Sequence, residues 1–446
     1  MTVRVVLGAQ FGDESKGKIA DFLAANARYV VRTGGGPNTG HTIVLSEGKV
    51  VLHQVACGVL RTGVTGISGP GMVLHPMKLE EEIRELESRG LLKGKFEISE
   101  RAHVLLPIHE LEDSWEDELR SRKGSHAKLG TTHRGVGPAY ADRYARFGLR
   151  MSDLVRPGLL REHLELLYET KTHLPNLPAI DKLARTLTEV GERLAPYIQP
   201  TETQLWEAIE RGESVLLEGA QSALLDIDYG TYPYVTSSHP TAAGALMGSG
   251  IPPQELDEVI GVAKAYMTRV GEGPFPTEVT GETARYLQRE GGERGATTGR
   301  VRRVGWLDLV LLKYVARLNG FTSLAIAKAD VLGGLEQVPI CVQYTSAEGS
   351  KITNYPPAVA EELDKVKPVY QQFPGWPSFT TRLKDRLRRE GPHALPASLR
   401  RFLGFIADET GVPVEFVSYG PHRDETLWMG RGAPARRANG LSPWSR

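Results

Sequence analysis

The opening residues constrain this chain most. Val3 to Leu7 (VRVVL) is a continuous apolar run, Gly8 to Lys18 is rich in glycine, and Ile19 to Ala25 spaces its apolar residues as a helix does. Strand, glycine loop and helix in that order open a nucleotide-binding α/β unit, because the N–H groups of a helix N-terminus are free to meet phosphate. The segment Gly12-Asp-Glu-Ser-Lys-Gly17-Lys18-Ile19 follows the phosphate-loop pattern G-x-x-x-x-G-K-[ST] up to its last place, where Ile19 replaces the hydroxyl that would hold magnesium. A metal then needs another ligand, and Asp13 is the carboxylate at hand. Taken alone, the segment reads equally well as a capped helix with solvated lysines.

Beyond it, strand-like runs recur at Tyr29 to Arg32, Val50 to His53, Gly66 to Ile67, Ser214 to Leu217, Glu258 to Ala263 and Ser323 to Ala327. They alternate with helical patterns. The expectation is an α/β fold: a large, mostly parallel twisted sheet flanked by helices, a P-loop-like phosphate site, and helical and small antiparallel insertions. Leu160, Leu164 and Leu167 share one helix face; Ile180, Leu183, Leu187, Val190 and Leu194 keep a three-four spacing. Two amphipathic helices separated by HLPNLP are predicted within a helical insertion at about 107–200. One domain is expected over 1–430, with residues 431–446, rich in Arg, Gly, Pro and Ser, as a fraying tail.

Composition narrows the class. The 54 basic and 54 acidic side chains cancel, which argues against a general nucleic-acid binder. Cys57 and Cys341 match no metal or redox spacing. No run of apolar residues is long enough for a membrane span. A soluble cytoplasmic enzyme with free thiols is expected.

A second glycine-rich element, Arg32 to Thr42 (RTGGGPNTGHT), is costly as filler, since glycine loses the most entropy on folding. GDESKGK followed by GGGPNTGHT resembles the adenylosuccinate synthetase family, which joins L-aspartate to IMP at the expense of GTP. The resemblance implies that Asp13 is the general base and His41 its electrophilic partner, with Gln221 also catalytic. It implies that Gly12, Glu14, Ser15, Lys16, Gly17, Lys18, Gly40, His41 and Thr42 meet GTP. Asn38 would touch IMP, and the Asp13 carboxylate and Gly40 carbonyl would hold Mg2+.

The likeness runs from Val3 to about Leu427. GTTHRGVGPAY (130–140) implies Thr132 on the IMP 5′-phosphate and Arg146 reaching that phosphate from a neighbouring subunit, hence a homodimer. EGAQSALLDIDYGTYPYVTSS (218–238) implies Gln221 on the purine edge and Thr236 on the phosphate. GATTGRVRRVGWLD (295–308) implies Thr297, Thr298, Arg300 and Arg302 around aspartate. There Arg300 also reaches the ribose of IMP and Arg302 the γ-phosphate. Lys328 and Asp330 in KAD (328–330) resemble a guanine-reading element, with Ser418 and Gly420 closing over the base.

Several positions depart from the family pattern: Phe11 for tryptophan, Ser15 for glycine, Thr39 for alanine, His133 for glycine, Ser222-Ala223 for Gly-Thr, Tyr229 for histidine and Val301 for arginine. Those beside Gln221 and Thr132 leave open a paralogous ligase for a 2-aminopurine nucleotide such as dGMP. Ser15 and Val301 leave open a GTP-binding regulator without catalysis. If the backbone at Ser15 is left-handed, it is strained; if helical, it is not.

Overall fold

The computed structural model describes residues 2–122, 129–295 and 299–430. The predicted opening is present: strand β1 (Val3–Gly8), the loop, and helix α1 (Lys16–Ala24). β1 lies inside a ten-stranded sheet. From one edge the strands are Thr426–Trp428, Val414–Ser418, Ser323–Ala327, Leu256–Lys264, β1, Val215–Glu218, β2 (Tyr29–Arg32), Thr65–Ser68, Lys95–Ser99 and Ile198–Gln199. Every neighbouring pair is parallel except the first, where Thr426–Trp428 runs back along Val414–Ser418.

The apolar runs are continuous because the strands are covered on both faces. Val3, Val5 and Leu7 pack into one core and Val6 into another with Ile19, Val30 and Leu216, as alternate side chains of a strand must. Parallel pairing has a second consequence: all the carboxyl ends open on one edge. From β1 the chain crosses to β2 on one side and returns later through Leu256–Lys264 on the other. Ligands of such sheets bind beside a reversal of this kind.

The two predicted amphipathic helices are Pro157–Thr170 and Ile180–Leu194. Leu160, Leu164, Leu167, Leu183, Leu187, Val190 and Leu194 are buried, while Ile180 is only partly so. Helices Pro107–Arg122 and Val136–Ala145 precede them. The chain re-enters the sheet immediately after this layer, through Ile198–Gln199 beside Lys95–Ser99. The insertions comprise a second sheet of five strands, antiparallel except where Arg303–Asp308 runs parallel to Gln337–Thr345, and the antiparallel hairpin His41–Leu45/Gly48–Leu52, which takes in the strand expected at Val50 to His53. The predicted tail, 431–446, lies outside the described residues.

Candidate functional site

The loop after β1 turns sharply. Gly12, Asp13 and Ser15 have φ of 93°, 61° and 70°. Two demands on the left-handed region from non-glycine residues, Asp13 and Ser15, cost about 1–3 kcal/mol each and persist only where surroundings over-determine them. Glu14 is the determinant. Its buried carboxylate accepts from Gly12 N at 2.7 Å, from Gln10 N at 3.2 Å and from Lys16 Nζ at 2.6 Å. Burial pushes the Glu14 carboxyl up, but the Lys16 charge and the hydrogen bonds outweigh it and hold the group below its ordinary value. Glu14 and Lys16, expected to meet GTP, are thus engaged with each other. Ser15, where the family pattern has glycine, takes the strained conformation rather than a helical one.

Lys18 is engaged within the protein. Its Nζ contacts Ser418 Oγ at 2.7 Å, Gly420 O at 2.5 Å and Glu425 O at 2.9 Å. Burial brings this amine down to about 8, against the pull of Asp330 and Glu425. The phosphate loop is thereby tied to the segment expected to close over guanine. Asp330 sits in the turn Ala329–Leu332, which Trp376 fastens through Nε1 to Ala329 O at 2.9 Å. Burial raises the Asp330 carboxyl, and Lys18 partly offsets this.

His41 begins the strand His41–Leu45 and lies against α1. A Cβ built on Gly17 would stand 2.6 Å from His41 Cβ, so only glycine allows this approach. Its Nδ1 bonds to Glu218 Oε1, and its Nε2 is buried without a partner. Glu218 also accepts Cys57 N at 2.9 Å and lies 3.8 Å from the Arg32 guanidinium. Arg32 and Glu218 end adjacent parallel strands in register, both fully buried. Burial lowers the His41 imidazole, Arg32 adds to this, and Glu218 opposes it. The ring is neutral at pH 7, with Nδ1–H donating to the carboxylate.

Gln221 has φ 49°. Its Nε2 donates to Thr39 Oγ1 at 2.9 Å and Asn38 Oδ1 at 3.2 Å, and its Oε1 is buried without a partner. Thr39, a departure from the family pattern, so anchors the amide expected to read the purine. Ser222, another departure, accepts Gln10 N at 2.9 Å and donates to Gln10 O. Both extra hydroxyls are consumed inside the protein. Ala223 packs in the core. Phe11, in place of tryptophan, stacks under Arg269, whose guanidinium carbon is 4.3 Å from the ring centroid. His133 is exposed at φ 51°; Tyr229 and Val301 are also exposed.

Across the rim, Arg302 Nε lies 2.7 Å from Asp13 Oδ2 but off the hydrogen-bond direction, while Arg302 Nη1 bonds Glu293 Oε2 at 2.5 Å. Arg300 donates to the carbonyls of Gly130 and Thr131 at 3.0 and 3.4 Å, joining the GTTHRG segment to the loop of Arg302. Lys328, at φ 56°, bonds Glu293 Oε1 at 2.9 Å and the Gly291 carbonyl.

The structure therefore brings together Asp13 with Arg302, Gln221 with Asn38, Lys18 with Ser418 and Gly420, and His41 with Gly17. Gly40 and Thr42 flank His41 in the chain. Thr132 adjoins the Thr131 carbonyl that Arg300 holds. Thr236 and Arg146 are tied to their own segments: Thr236 N donates to Leu225 O at 2.8 Å, and exposed Arg146 caps helix Val136–Ala145 at φ 69°. Thr297 and Thr298 lie outside the described residues. Sequence reasoning assigned nothing to Arg32, Glu218, Lys264 or Glu293. The available signal was a charge at the end of an apolar strand, as in YVVR, VLLE and VAK.

A family model described as adenylosuccinate synthetase matches residues 5–427. The adenylosuccinate synthetase of Carboxydothermus hydrogenoformans is 44% identical, over 96% of this chain and 99% of its own. That of Thermomicrobium roseum is 44% identical over 97% and 100%. A solved structure of fully ligated adenylosuccinate synthetase from Plasmodium falciparum superposes with a TM-score of 0.89, at 35% identity over 96% of this chain and all of that one. A cyanophage S-2L succinoaminodeoxyadenylate synthetase, bound to dGMP and dATP, shares the fold at TM-score 0.60 and 18% identity, over 96% of this chain and 95% of its own.

Proposed function

The chain belongs to the adenylosuccinate synthetase family, and on that premise we propose how its own residues carry out the ligation. The enzyme is a GTP-dependent ligase that joins IMP and L-aspartate, forming adenylosuccinate, GDP and phosphate in AMP biosynthesis. The lactam oxygen of IMP is a poor leaving group. Asp13 removes the N1 proton, and the electron pair passes to O6, which becomes a nucleophile. O6 attacks the γ-phosphorus of GTP; the bond to the β–γ bridging oxygen breaks, and GDP leaves. The amino nitrogen of aspartate then attacks C6 of the 6-phosphoryl intermediate. Phosphate departs with O6, and the amine loses its proton.

The side chains divide this work. His41 turns Nε2 to the phosphoryl oxygens; their charge, with the Glu218 carboxylate at Nδ1, brings a second proton onto the ring, and Nε2–H then donates where charge develops. Gln221 reads the purine edge through Oε1. Asn38, Thr132, Thr236 and Arg300 hold IMP, Arg146 reaches its phosphate from the partner subunit of a homodimer, and Arg300 and Arg302 hold the aspartate carboxylates with Thr297 and Thr298. Arg302 must exchange Asp13 for substrate. Gly12, Ser15, Lys16, Gly17 and the segment Gly40–Thr42 line the phosphates; Lys328, Asp330, Ser418 and Gly420 take guanine.

Magnesium fits the donors present. The Asp13 carboxylate is partly exposed at the loop tip, and with the Gly40 carbonyl it offers the few hard oxygens this ion takes beside phosphates. When bound, magnesium neutralises charge on the phosphates. Among the described residues no helix is long and apolar enough to cross a membrane; that the enzyme works in the cytoplasm is part of the proposal.

One observation carries the reading: His41, its Nε2 unpartnered, packs on Gly17 of the very loop that presents Asp13. The internal use of the Thr39 and Ser222 hydroxyls supports IMP over a 2-aminopurine nucleotide. Phosphate release from GTP, with IMP and aspartate omitted in turn, tests it. Both are required, and Asp13→Ala abolishes release while GTP still binds. Turnover retained in that variant, or dGMP preferred to IMP in side-by-side kinetics, defeats the reading.

A further inference from the structure

Glu293 is the most heavily engaged carboxylate described at the rim, and the reaction just derived does not use it. It is almost fully buried, and its two oxygens divide their partners. Oε1 accepts from Lys264 Nζ at 2.9 Å, from Lys328 Nζ at 2.9 Å and from the Tyr266 hydroxyl. Oε2 accepts from Arg302 Nη1 at 2.5 Å. Lys264 ends the strand Leu256–Lys264, and Lys328 follows the strand Ser323–Ala327 beside it in register. Oε1 thus faces the end of the sheet and Oε2 faces the loop that carries Arg300 and Arg302.

The backbone repeats the connection. Arg302 N donates to Glu293 O at 3.0 Å, Gln288 Nε2 donates to Arg302 O at 2.9 Å, and Arg294 bridges to Val301. Glu293 and Arg302 form the neck of the loop, and the carboxylate pins that neck to two strand ends. Counting charges within this group, Lys264, Lys328 and Arg302 stand against Glu293 and Asp13, leaving one positive charge for an incoming anion. A buried carboxylate shared by several cations is also a physical link: when one partner shifts, the others must re-pair.

We propose that Glu293 is a positioning residue that couples the guanine-reading element to the aspartate-holding loop, one carboxylate orienting Lys328 through Oε1 and Arg302 through Oε2. The assignment rests on the roles of Lys328 and Arg302 proposed above. When guanine fixes Lys328, Glu293 is fixed, and Arg302 is presented to the dicarboxylate. By linkage, aspartate tightens GTP by the same factor.

The test measures KM for aspartate at limiting and at saturating GTP, by phosphate release with the full-length enzyme and saturating IMP. In the unaltered enzyme KM for aspartate falls about fivefold or more as GTP saturates, within the usual range of coupling between sites. In Glu293→Gln the two KM values agree within about twofold, while KM for IMP is unchanged. A residue that merely stabilises the fold would lower the amount of active enzyme or kcat and leave the ratio intact; that result overturns the proposal. Should Glu293→Gln fail to fold, Lys328→Met removes one arm alone. It must abolish the ratio as well as weaken GTP, and a weakened GTP site with the ratio preserved also overturns it. The underlying reading is checked separately by Arg302→Leu: an unchanged KM for aspartate refutes the placement of Arg302 itself.

Discussion

The carboxyl rim of the sheet and the helical layer of residues 107–194 are built by opposite rules. In the layer, leucines and Val190 fill a core, the buried charges pair among themselves, Lys171 with Glu112 and Asp142, and others such as Arg161 with Glu165 and Asp181 pair in solvent, where such pairs are worth little. At the rim, Glu14, Lys16, Lys18, Glu218, Lys264 and Glu293 are buried, and Arg32 Nη1 and Nη2, His41 Nε2 and Gln221 Oε1 have no hydrogen-bond partner. Of the seven non-glycine residues with positive φ among the described residues, Asp13, Ser15, Gln221 and Lys328 follow strands of the main sheet at this edge. The rim holds polar atoms and backbone conformations that become favourable only when a substrate arrives, which is how binding energy can be directed to the reacting centre.

The sharpest way to break this contrast is to remove a rim group. His41→Asn lowers kcat by about two to three orders of magnitude with a smaller rise in KM, since donors aimed at developing charge act chiefly in the transition state. Its melting temperature should stay close to that of the parent. A large KM effect with kcat intact would move His41 from catalysis to binding.

The complementary experiment lies in the layer. Leu187 is fully buried between the two amphipathic helices and the rest of its core. Leu187→Ala should cost about 2–5 kcal/mol in urea denaturation and leave kcat within about twofold. Loss of activity in proportion to stability would show that the layer and the rim are not separable.

Acid should weaken the molecule away from the reacting groups. His75 caps the helix Pro76–Ser88, and its imidazole is brought down to about 3, mainly by burial. His103 is brought down to about 4 by burial and by Arg143 and Arg150. Both bind fewer protons folded than unfolded between about pH 4 and 6.5, so stability rises with pH across that window and is lost as pH falls through it. At pH 5 the loss is about 1–2 kcal/mol per histidine relative to pH 7.5. Urea midpoints at the two pH values measure it, and His103→Asn should reduce the difference.

The smallest expected effect concerns Ser15, at φ 70°. Ser15→Gly relieves the left-handed strain but adds freedom to the unfolded chain, for a net gain below about 1 kcal/mol. A clear loss of stability would mean that the hydroxyl, not the backbone, governs this position.

Much of the fold was legible. VRVVL and SLAIA are continuous apolar runs because parallel strands covered on both faces need no alternation. The helices around Leu164 and Leu187 were visible from spacing alone. The hairpin starting at His41 was half seen, since its first strand follows a glycine-rich run that reads as loop.

The sequence by itself determined the order strand, glycine loop, helix, the motifs that contain Asp13, His41 and Gln221, and the family to which the chain belongs, because these depend on residues close together in the chain. Only the tertiary structure decided what those residues lean on. Lys18 meets Ser418 across 400 positions, and His41 meets Glu218 across 177. A buried charge is tolerated only beside its partner, and which partner that is depends on the order of strands in the sheet, which no local pattern encodes.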